Sequence, residues 1–276
     1  MIDLNKIGDF DQIGALAEQF LTGTGEGKAL FGGLFDTLRS EENAAECQPF
    51  LALAEEYERL AEENRQFRPV EAEAAAGNAV RRQYAKGGEC LHRGYYSPSM
   101  LDLVVGGCDR GRLLKTTAPR NYSYEYLFDE DGRLLCVNQA EGAIHVELLR
   151  REDDAETGFT YGASPGGMSL RTICKTVRKD GLTARFELAS LADDNGRFRC
   201  MELSRETSEY DGERNMTALL HQHFLPMTRL LTQHRYTFMR DEEGYLSKYV
   251  MKEEGILAAG QPPREPQWLP VLARRK

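Results

Sequence analysis

Three histidines in the last quarter of the chain have the most suggestive spacing for chemistry. His221 and His223 lie in the short sequence HQH, so on a β-strand both side chains point to the same face. If residues 226–229 form a turn, position 221 pairs with 234 and position 223 pairs with 232. This pairing adds His234 to the same face, and three imidazoles on one face are the ligands that a zinc or iron site requires.

Two further interpretations of these histidines remain open. No acidic residue lies nearby in sequence to orient the imidazoles, and half-exposed strand histidines without any ligand would show the same pattern. Residues 213–235 also fit helical spacing, which would scatter the three side chains, but Pro226 would break such a helix. We therefore favour two strands around Pro226. For the chain as a whole, we expect no cofactor.

Other motifs with catalytic spacing fail on the chemistry of their residues. The segment GTGEGKA at 23–29 lacks a glycine and a hydroxyl of the phosphate-binding loop, because Thr22 and Ala29 occupy those positions. The segment GASPG at 162–166 has the spacing of a nucleophile elbow. However, Pro165 follows Ser164 and has no backbone N–H to offer an oxyanion hole. These features favour a non-enzymatic protein.

Negative charge is concentrated at the start of the chain. The net charge is −9, and residues 1–85 hold 16 acidic and 8 basic residues, a difference of −8. Without a basic stripe, nucleic-acid binding is not expected, because neutralising phosphates requires Lys or Arg. Glu55, Glu58 and Glu62 lie off the apolar seam of a predicted helix. This face is either a solvated surface or one that steers a basic protein partner.

The sequence lacks the usual features of secretion and membrane insertion. Its first residues contain no basic segment followed by an apolar run, and no segment approaches the roughly 20 apolar residues of a membrane span. The six cysteines are widely spaced, which fits neither a zinc knuckle nor a disulfide framework. We therefore expect a cytoplasmic protein with reduced cysteines and no membrane partner.

The apolar period divides the chain into parts. Residues 1–88 have mainly helical spacing, with a start signal at Ser40 and a last helix ending at residues 87–88. Residues 89–258 alternate with a period of two between Asp-Gly and Asn-Gly turns, and residues 259–276 form a Pro-rich tail. The predicted fold class is α+β, with N-terminal helices followed by a large antiparallel β-meander, either a twisted sheet or an open barrel. The clearest helix has an apolar seam of Phe50, Leu53, Tyr57 and Leu60.

One short segment returns 112 residues later in the chain. YEYLFDEDGRLL at 124–135 and YTFMRDEEGYLS at 236–247 share five of 12 positions, and each has a strand pattern before an acidic turn closed by Gly132 or Gly244. The pattern resembles the YD-repeat hairpin of Rhs-type bacterial toxin shells, over about 12 residues per copy. The copies are sparse and irregularly spaced, so a closed shell is not expected. The resemblance implies scaffold hairpins, as does convergence on a common hairpin sequence.

These observations favour an intracellular, non-enzymatic protein-binding module. Acidic charge, a broad hairpin sheet and the YD-like pattern make an immunity- or antitoxin-like partner of a basic bacterial toxin the most specific version of this hypothesis. The alternative is a β-barrel-like protein that binds a small ligand or a metal. That protein would be an enzyme if the cluster of His221, His223 and His234 takes part in a reaction.

Overall fold

The computed structural model describes residues 37–88, 92–116, 120–140, 145–164, 166–256 and 267–271. Residues 1–36 of the predicted helical segment, which include the glycine-rich segment at 23–29, lie outside the described residues, as does most of the Pro-rich tail. Within these ranges, two α-helices and one large antiparallel sheet form most of the regular structure, which confirms the predicted α+β class.

One antiparallel sheet of 13 strands dominates the described residues. The strands are β1 (Arg81–Lys86), β2 (Arg112–Leu113), β3 (Tyr124–Phe128), β4 (Leu134–Gln139), β5 (His145–Glu152), β6 (Ala155–Ser164), β7 (Gly167–Lys179), β8 (Leu182–Asp194), β9 (Arg197–Tyr210), β10 (Met216–Leu225), β11 (Leu230–Arg240), β12 (Leu246–Glu254) and β13 (Leu269–Pro270). From β3 to β13 they lie side by side in chain order, while β1 follows β3 and β2 lies outermost. Since β2 and β13 are at opposite ends and do not pair with each other, the sheet does not close into a barrel.

The two copies of the repeated segment form equivalent hairpin turns. Gly132 has φ 74° between β3 and β4, and Gly244 has φ 83° between β11 and β12. Each glycine N–H donates to the carbonyl of the aspartate three residues earlier, Asp129 or Asp241, at 3.0 Å. Glycine closes both turns because a positive φ carries no steric cost in the absence of a Cβ atom. The predicted hairpins are confirmed.

Residues 216–240 form two strands around a turn, so the helical alternative is wrong. β10 ends at Leu225 and β11 begins at Leu230, with Pro226 in the turn between them. In this hairpin His221 pairs with His234 and position 223 pairs with 232, the register that the sequence predicted. Proline in the turn loses nothing, because its missing N–H is not needed in the ladder.

Helix α1 (Glu41–Glu63) begins at the predicted start signal. The Ser40 hydroxyl accepts a hydrogen bond from the N–H of Asn43 at 3.1 Å, which satisfies a backbone donor that the first helical turn leaves open. Helix α2 (Pro69–Asn78) follows. The prediction that this last helix continues to residues 87–88 is wrong. Residues 81–86 form β1, because pairing with β3 satisfies their backbone groups better than an exposed helical turn would.

Helix α1 packs on one face of the sheet, here called the helix face. Phe50 and Tyr57 are buried there, as the predicted seam required. The rest of the buried stripe includes Ala54 and Ala61, whereas the seam leucines are only partly buried. The seam predicted from the sequence suits a partner helix, but a helix on a sheet can use small side chains to bring its backbone close.

A buried carboxylate ties α1 to the helix face. Glu187 of β8 is 1% exposed and accepts a hydrogen bond from the Tyr57 hydroxyl at 2.9 Å. It also accepts one from Nε of Arg205 on β9 at 2.8 Å. Since a buried charge needs these partners, the contact fixes the position of the helix along the sheet.

The opposite face, here called the strap face, is covered by residues 92–105, here called the strap. The strap contains a 3-10 turn at Gly94–Tyr96 and a π-helical turn at Leu101–Val105. Leu103 and Val104 are buried and belong to one apolar cluster with Met216 of β10. The strap, which is mostly irregular backbone, therefore takes the place of a second layer of helices on this face.

Hydrogen bonds with the buried side chains of Tyr126 and Glu206 hold the strap at both ends. The Tyr126 hydroxyl on β3 donates to the Arg93 carbonyl at 2.9 Å. Glu206 on β9 accepts hydrogen bonds from the N–H groups of Met100 at 2.8 Å and Leu101 at 3.0 Å. These bonds satisfy backbone groups that the irregular segment cannot satisfy internally.

The hairpin assignment predicts that Gly132→Val lowers the free energy of unfolding by about 1–3 kcal/mol, because a β-branched residue is strained at positive φ. A Cβ atom at this position meets nothing within 4 Å, so the effect reports backbone conformation. Thermal unfolding measures it. The matched control is Gly212→Val, at a glycine that is equally open but has no positive φ. Equal melting temperatures for the two variants would contradict the assignment.

Candidate functional site

Strands β10 and β11 place three histidines side by side on the strap face. His221 and His223 are two residues apart on β10, and His234 lies opposite His221 on β11. The ring centroid of His221 is 6.3 Å from that of His223 and 6.5 Å from that of His234. We call these three side chains the histidine cluster. Its geometry follows from strand alternation and from the register of the hairpin.

Strand β9 contributes polar partners that sequence reasoning missed. Oε1 of Glu202 lies 2.8 Å from Nε2 of His223, and Oγ of Ser204 lies 3.0 Å from Nε2 of His221. In the sequence, Glu202 is remote from the histidines, so it was not recognised as an orienting carboxylate. Alternation along β9 could have identified it, because β9 pairs with β10 and places residue 206 opposite His221 and Ser204 opposite His223.

Burial controls the protonation of the central histidine. Burial, together with the neighbouring His223 and His234, lowers the pKa of His221 to about 4. Its imidazole is therefore neutral at neutral pH, which is the form that binds metals. The ring nitrogen Nε2 is already hydrogen-bonded to Ser204, so a metal at this nitrogen would have to displace that bond.

The histidine cluster is not a preassembled chelate. Among the described residues, one group of three potential ligands has all its ligand atoms within 4.8 Å of one another, and that group is His92, Glu147 and Cys174. The histidine cluster would need side-chain rotation to direct three nitrogens at one ion. Metal binding by these histidines stays a prediction.

A second polar cluster is buried beneath the strap. The Arg93 side chain is 2% exposed, and its guanidinium lies 2.9 Å from Oε1 of Glu147, 2.5 Å from Oε1 of Glu156 and 3.3 Å from Sγ of Cys174. Nδ1 of His92 is buried without a hydrogen-bond partner among the described residues. We call these five residues the arginine cluster. Sequence reasoning missed it because its members come from the strap and from three strands, with no local motif.

Electrostatics determines which members of the arginine cluster are charged. Burial opposes ionisation of Glu147, but the adjacent Arg93 guanidinium lowers the pKa of this carboxyl below its usual value. Burial raises the pKa of the Cys174 thiol to about 12 and lowers the pKa of His92. At neutral pH the cluster therefore holds a charged Arg93–Glu147 pair beside a protonated thiol and a neutral imidazole.

Two of the three glutamates predicted to meet a partner are engaged with the sheet. Glu58 accepts a hydrogen bond from the N–H of Cys200 at 2.9 Å, and Glu62 accepts one from the N–H of Phe198 at 2.7 Å. Both N–H groups lie on the part of β9 that extends beyond its pairing with β10, so the carboxylates replace a neighbouring strand. Glu55 is exposed. Partner binding by these three residues stays a prediction.

Comparison with known proteins leaves the function to be argued from geometry. No protein-family model matches the chain, and no curated protein has a matching sequence. Among the helices in the described ranges, none is long and apolar enough to cross a membrane.

The contacts of α1 predict different effects for two charge reversals on the same helix. Glu62→Lys should lower the free energy of unfolding by about 1–2 kcal/mol, because it removes a charged acceptor from the N–H of Phe198. Glu55→Lys makes the same change of charge at an exposed position and should leave stability nearly unchanged. Chemical denaturation measures both. Equal stability of the two variants would show that the Glu62 carboxylate does not stabilise β9 by accepting a hydrogen bond where a neighbouring strand is missing.

The low pKa of His221 predicts a loss of stability in acid. The unfolded chain binds a proton at its ordinary pKa of 6.5, whereas the folded protein resists protonation until about pH 4. The contribution of His221 is therefore fully present above pH 6.5 and is lost as pH falls towards about 4. Burial raises the pKa of Glu206 to about 7, which has the opposite effect over the same range.

The difference between wild type and His221→Gln isolates this contribution, because Glu206 is present in both proteins. Melting temperatures measured from pH 7 to pH 4 should fall less steeply in the variant, which can keep a hydrogen bond to Ser204. Parallel curves would show that His221 is not the group responsible.

Proposed function

We propose that the protein is a non-enzymatic protein-binding module that takes up an extended segment of a partner at the outer edge of β12. The proposal rests on the difference in length between β12 and β13, its outer neighbour. β12 spans Leu246–Glu254, but β13 pairs with only Lys248 and Tyr249. Among the described residues, the remainder of this edge has no strand partner, and such an edge is a template for strand addition.

The register identifies the backbone groups that are available. The N–H of Val271 donates to the carbonyl of Ser247 at 2.9 Å, so odd-numbered residues of β12 direct their backbone groups towards β13. By the same alternation, the backbone groups of Met251 and Glu253 point outward beyond the last pair with β13. A partner strand in this position would continue the ladder that β13 begins.

Apolar side chains border this edge. Tyr245 is 56% exposed, Met251 and Leu269 are each 43% exposed, and Trp268 is 42% exposed. Aromatic residues and methionine are enriched in protein interfaces because they bury a large area at low conformational cost. Main-chain hydrogen bonds would supply affinity, and these side chains would supply selectivity.

Charge supports a basic partner. The chain carries a net charge of −9, and complementary charge increases association rates in a way that salt weakens. Most of this charge lies in residues 1–85, where Glu55 on α1 is exposed. The narrower hypothesis of an immunity-like partner of a toxin rests on the sequence pattern alone and gains no support from the geometry.

A second candidate function is metal binding by the histidine cluster. It is favoured by the cross-strand register and by the contact of Glu202 with His223, which matches the carboxylate–histidine pairing of many metal sites. A bound metal that is lost in His223→Ala would support this function over the first.

Site-specific photo-crosslinking tests the proposed edge. A photoreactive amino acid at position 251 should capture a partner that one at position 239 does not. Met239 and Met251 have the same exposed fraction, 43%, but Met239 lies on β11, away from the edge. A difference in crosslinking between positions 251 and 239 therefore reports where the partner binds and not how exposed the two positions are.

The captured partner, once purified, allows a quantitative measurement. Met251→Pro removes an outward N–H and should weaken binding by about tenfold, because proline is tolerated on an edge strand but cannot donate to an added one. Met239→Arg should bind like wild type. Unchanged affinity of Met251→Pro, or equal crosslinking at both positions, would contradict strand addition at β12.

A further inference from the structure

The arginine cluster contains a thiol, a carboxylate and an imidazole at the spacing of metal ligands. Sγ of Cys174 lies 3.3 Å from Oε1 of Glu147, and one ligand atom from each of His92, Glu147 and Cys174 lies within 4.8 Å of the other two. With Zn–S near 2.3 Å and Zn–O near 2.1 Å, two ligands of a tetrahedral zinc ion lie about 3.5 Å apart. The thiol and the carboxylate are therefore already placed for zinc.

His92 provides an independent indication of a missing ligand. The residue is 7% exposed, yet its Nδ1 has no hydrogen-bond partner among the described residues. A buried nitrogen without a partner is costly, and most such atoms in native proteins have one. The ring of Phe186 on β8 meets the imidazole edge to face, with a centroid distance of 6.5 Å.

Gly158 of β6 leaves space at the centre of this group. A Cβ atom added there would overlap Oε1 of Glu147, would lie 2.8 Å from Sγ of Cys174 and would lie 3.0 Å from Nη2 of Arg93. The φ of Gly158 is not positive, so glycine is not required by the backbone conformation of this strand. Glycine is therefore required at position 158 because a Cβ atom there would collide with side chains of the arginine cluster.

Charged side chains surround the proposed site. Arg93 pairs with Glu147 and Glu156, and the partly exposed Arg151 lies 3.6 Å from the other carboxylate oxygen of Glu156. Loss of the Cys174 proton on metal binding would place a thiolate beside the divalent ion. The Arg93 guanidinium would remain a hydrogen-bond donor to the carboxylate and the thiolate, holding both in place.

We infer that His92, Glu147 and Cys174 bind one zinc ion beneath the strap. A thiolate, an imidazole and a carboxylate are the three side-chain ligand types of zinc in proteins. Binding breaks the S–H bond, forms a Zn–S bond and releases the proton to solvent. Because His92 belongs to the strap and the other two ligands belong to β5 and β7, the ion links the strap to the sheet.

Cobalt(II) replaces zinc in the test because a cobalt–thiolate bond gives a charge-transfer band in the near ultraviolet. Titration of metal-free wild-type protein with CoCl2 should saturate at one equivalent with this band, and ZnCl2 should abolish it. Cys174→Ser should lose the band and weaken binding by more than the roughly 10–100-fold that loss of a supporting contact causes. The control is Cys200→Ser, another buried free thiol, which should behave like wild type.

The inference would be overturned by wild-type protein that binds no stoichiometric cobalt, or by a charge-transfer band that persists in Cys174→Ser. Cobalt bound without the band, and lost in His223→Ala, would assign the metal to the histidine cluster and also overturn it. X-ray absorption of the zinc-loaded wild-type protein decides the question if Cys174→Ser does not fold. One sulfur at about 2.3 Å is expected, and a shell of nitrogen and oxygen alone would refute the site.

Discussion

A buried guanidinium is the constraint on which much of this structure depends. Arg93 is almost fully enclosed, and it pairs with Glu147 and Glu156 from adjacent strands. Removal of the arginine would leave two buried carboxylates without their cationic partner, which proteins tolerate poorly. The arginine therefore fixes the strap on β5 and β6, and it occupies a left-handed backbone conformation, φ 58°, to do so.

On the helix face, too, a buried polar contact positions the covering segment. Glu187 joins Tyr57 of α1 to Arg205 of β9, so one buried carboxylate sets where the helix lies. A meander of similar strands offers several nearly equivalent places for a covering segment. Directional polar contacts can distinguish between such places where apolar packing alone cannot, and we infer that they do so here on both faces.

The edges of the sheet are the places where another strand can extend the fold. Charged side chains are one means by which proteins limit pairing at such edges, and β1 begins with two arginines at one end. At the other end β12 carries exposed apolar groups beside its outward backbone groups. The proposed binding function therefore requires no rearrangement of the sheet, because the backbone groups that an added strand would use already point outward.

The sequence by itself determined the local features: the α+β class, the start of α1 at Ser40, the glycine-closed hairpins, and the register that brings His221 beside His234. These follow from short-range rules of capping, turn geometry and alternation. Only the tertiary structure decided that residues 81–86 form a strand, that Glu58 and Glu62 bind β9, and that a buried cluster forms around Arg93. Each depends on contacts between distant segments, and one sequence contains no local pattern that specifies which segments meet.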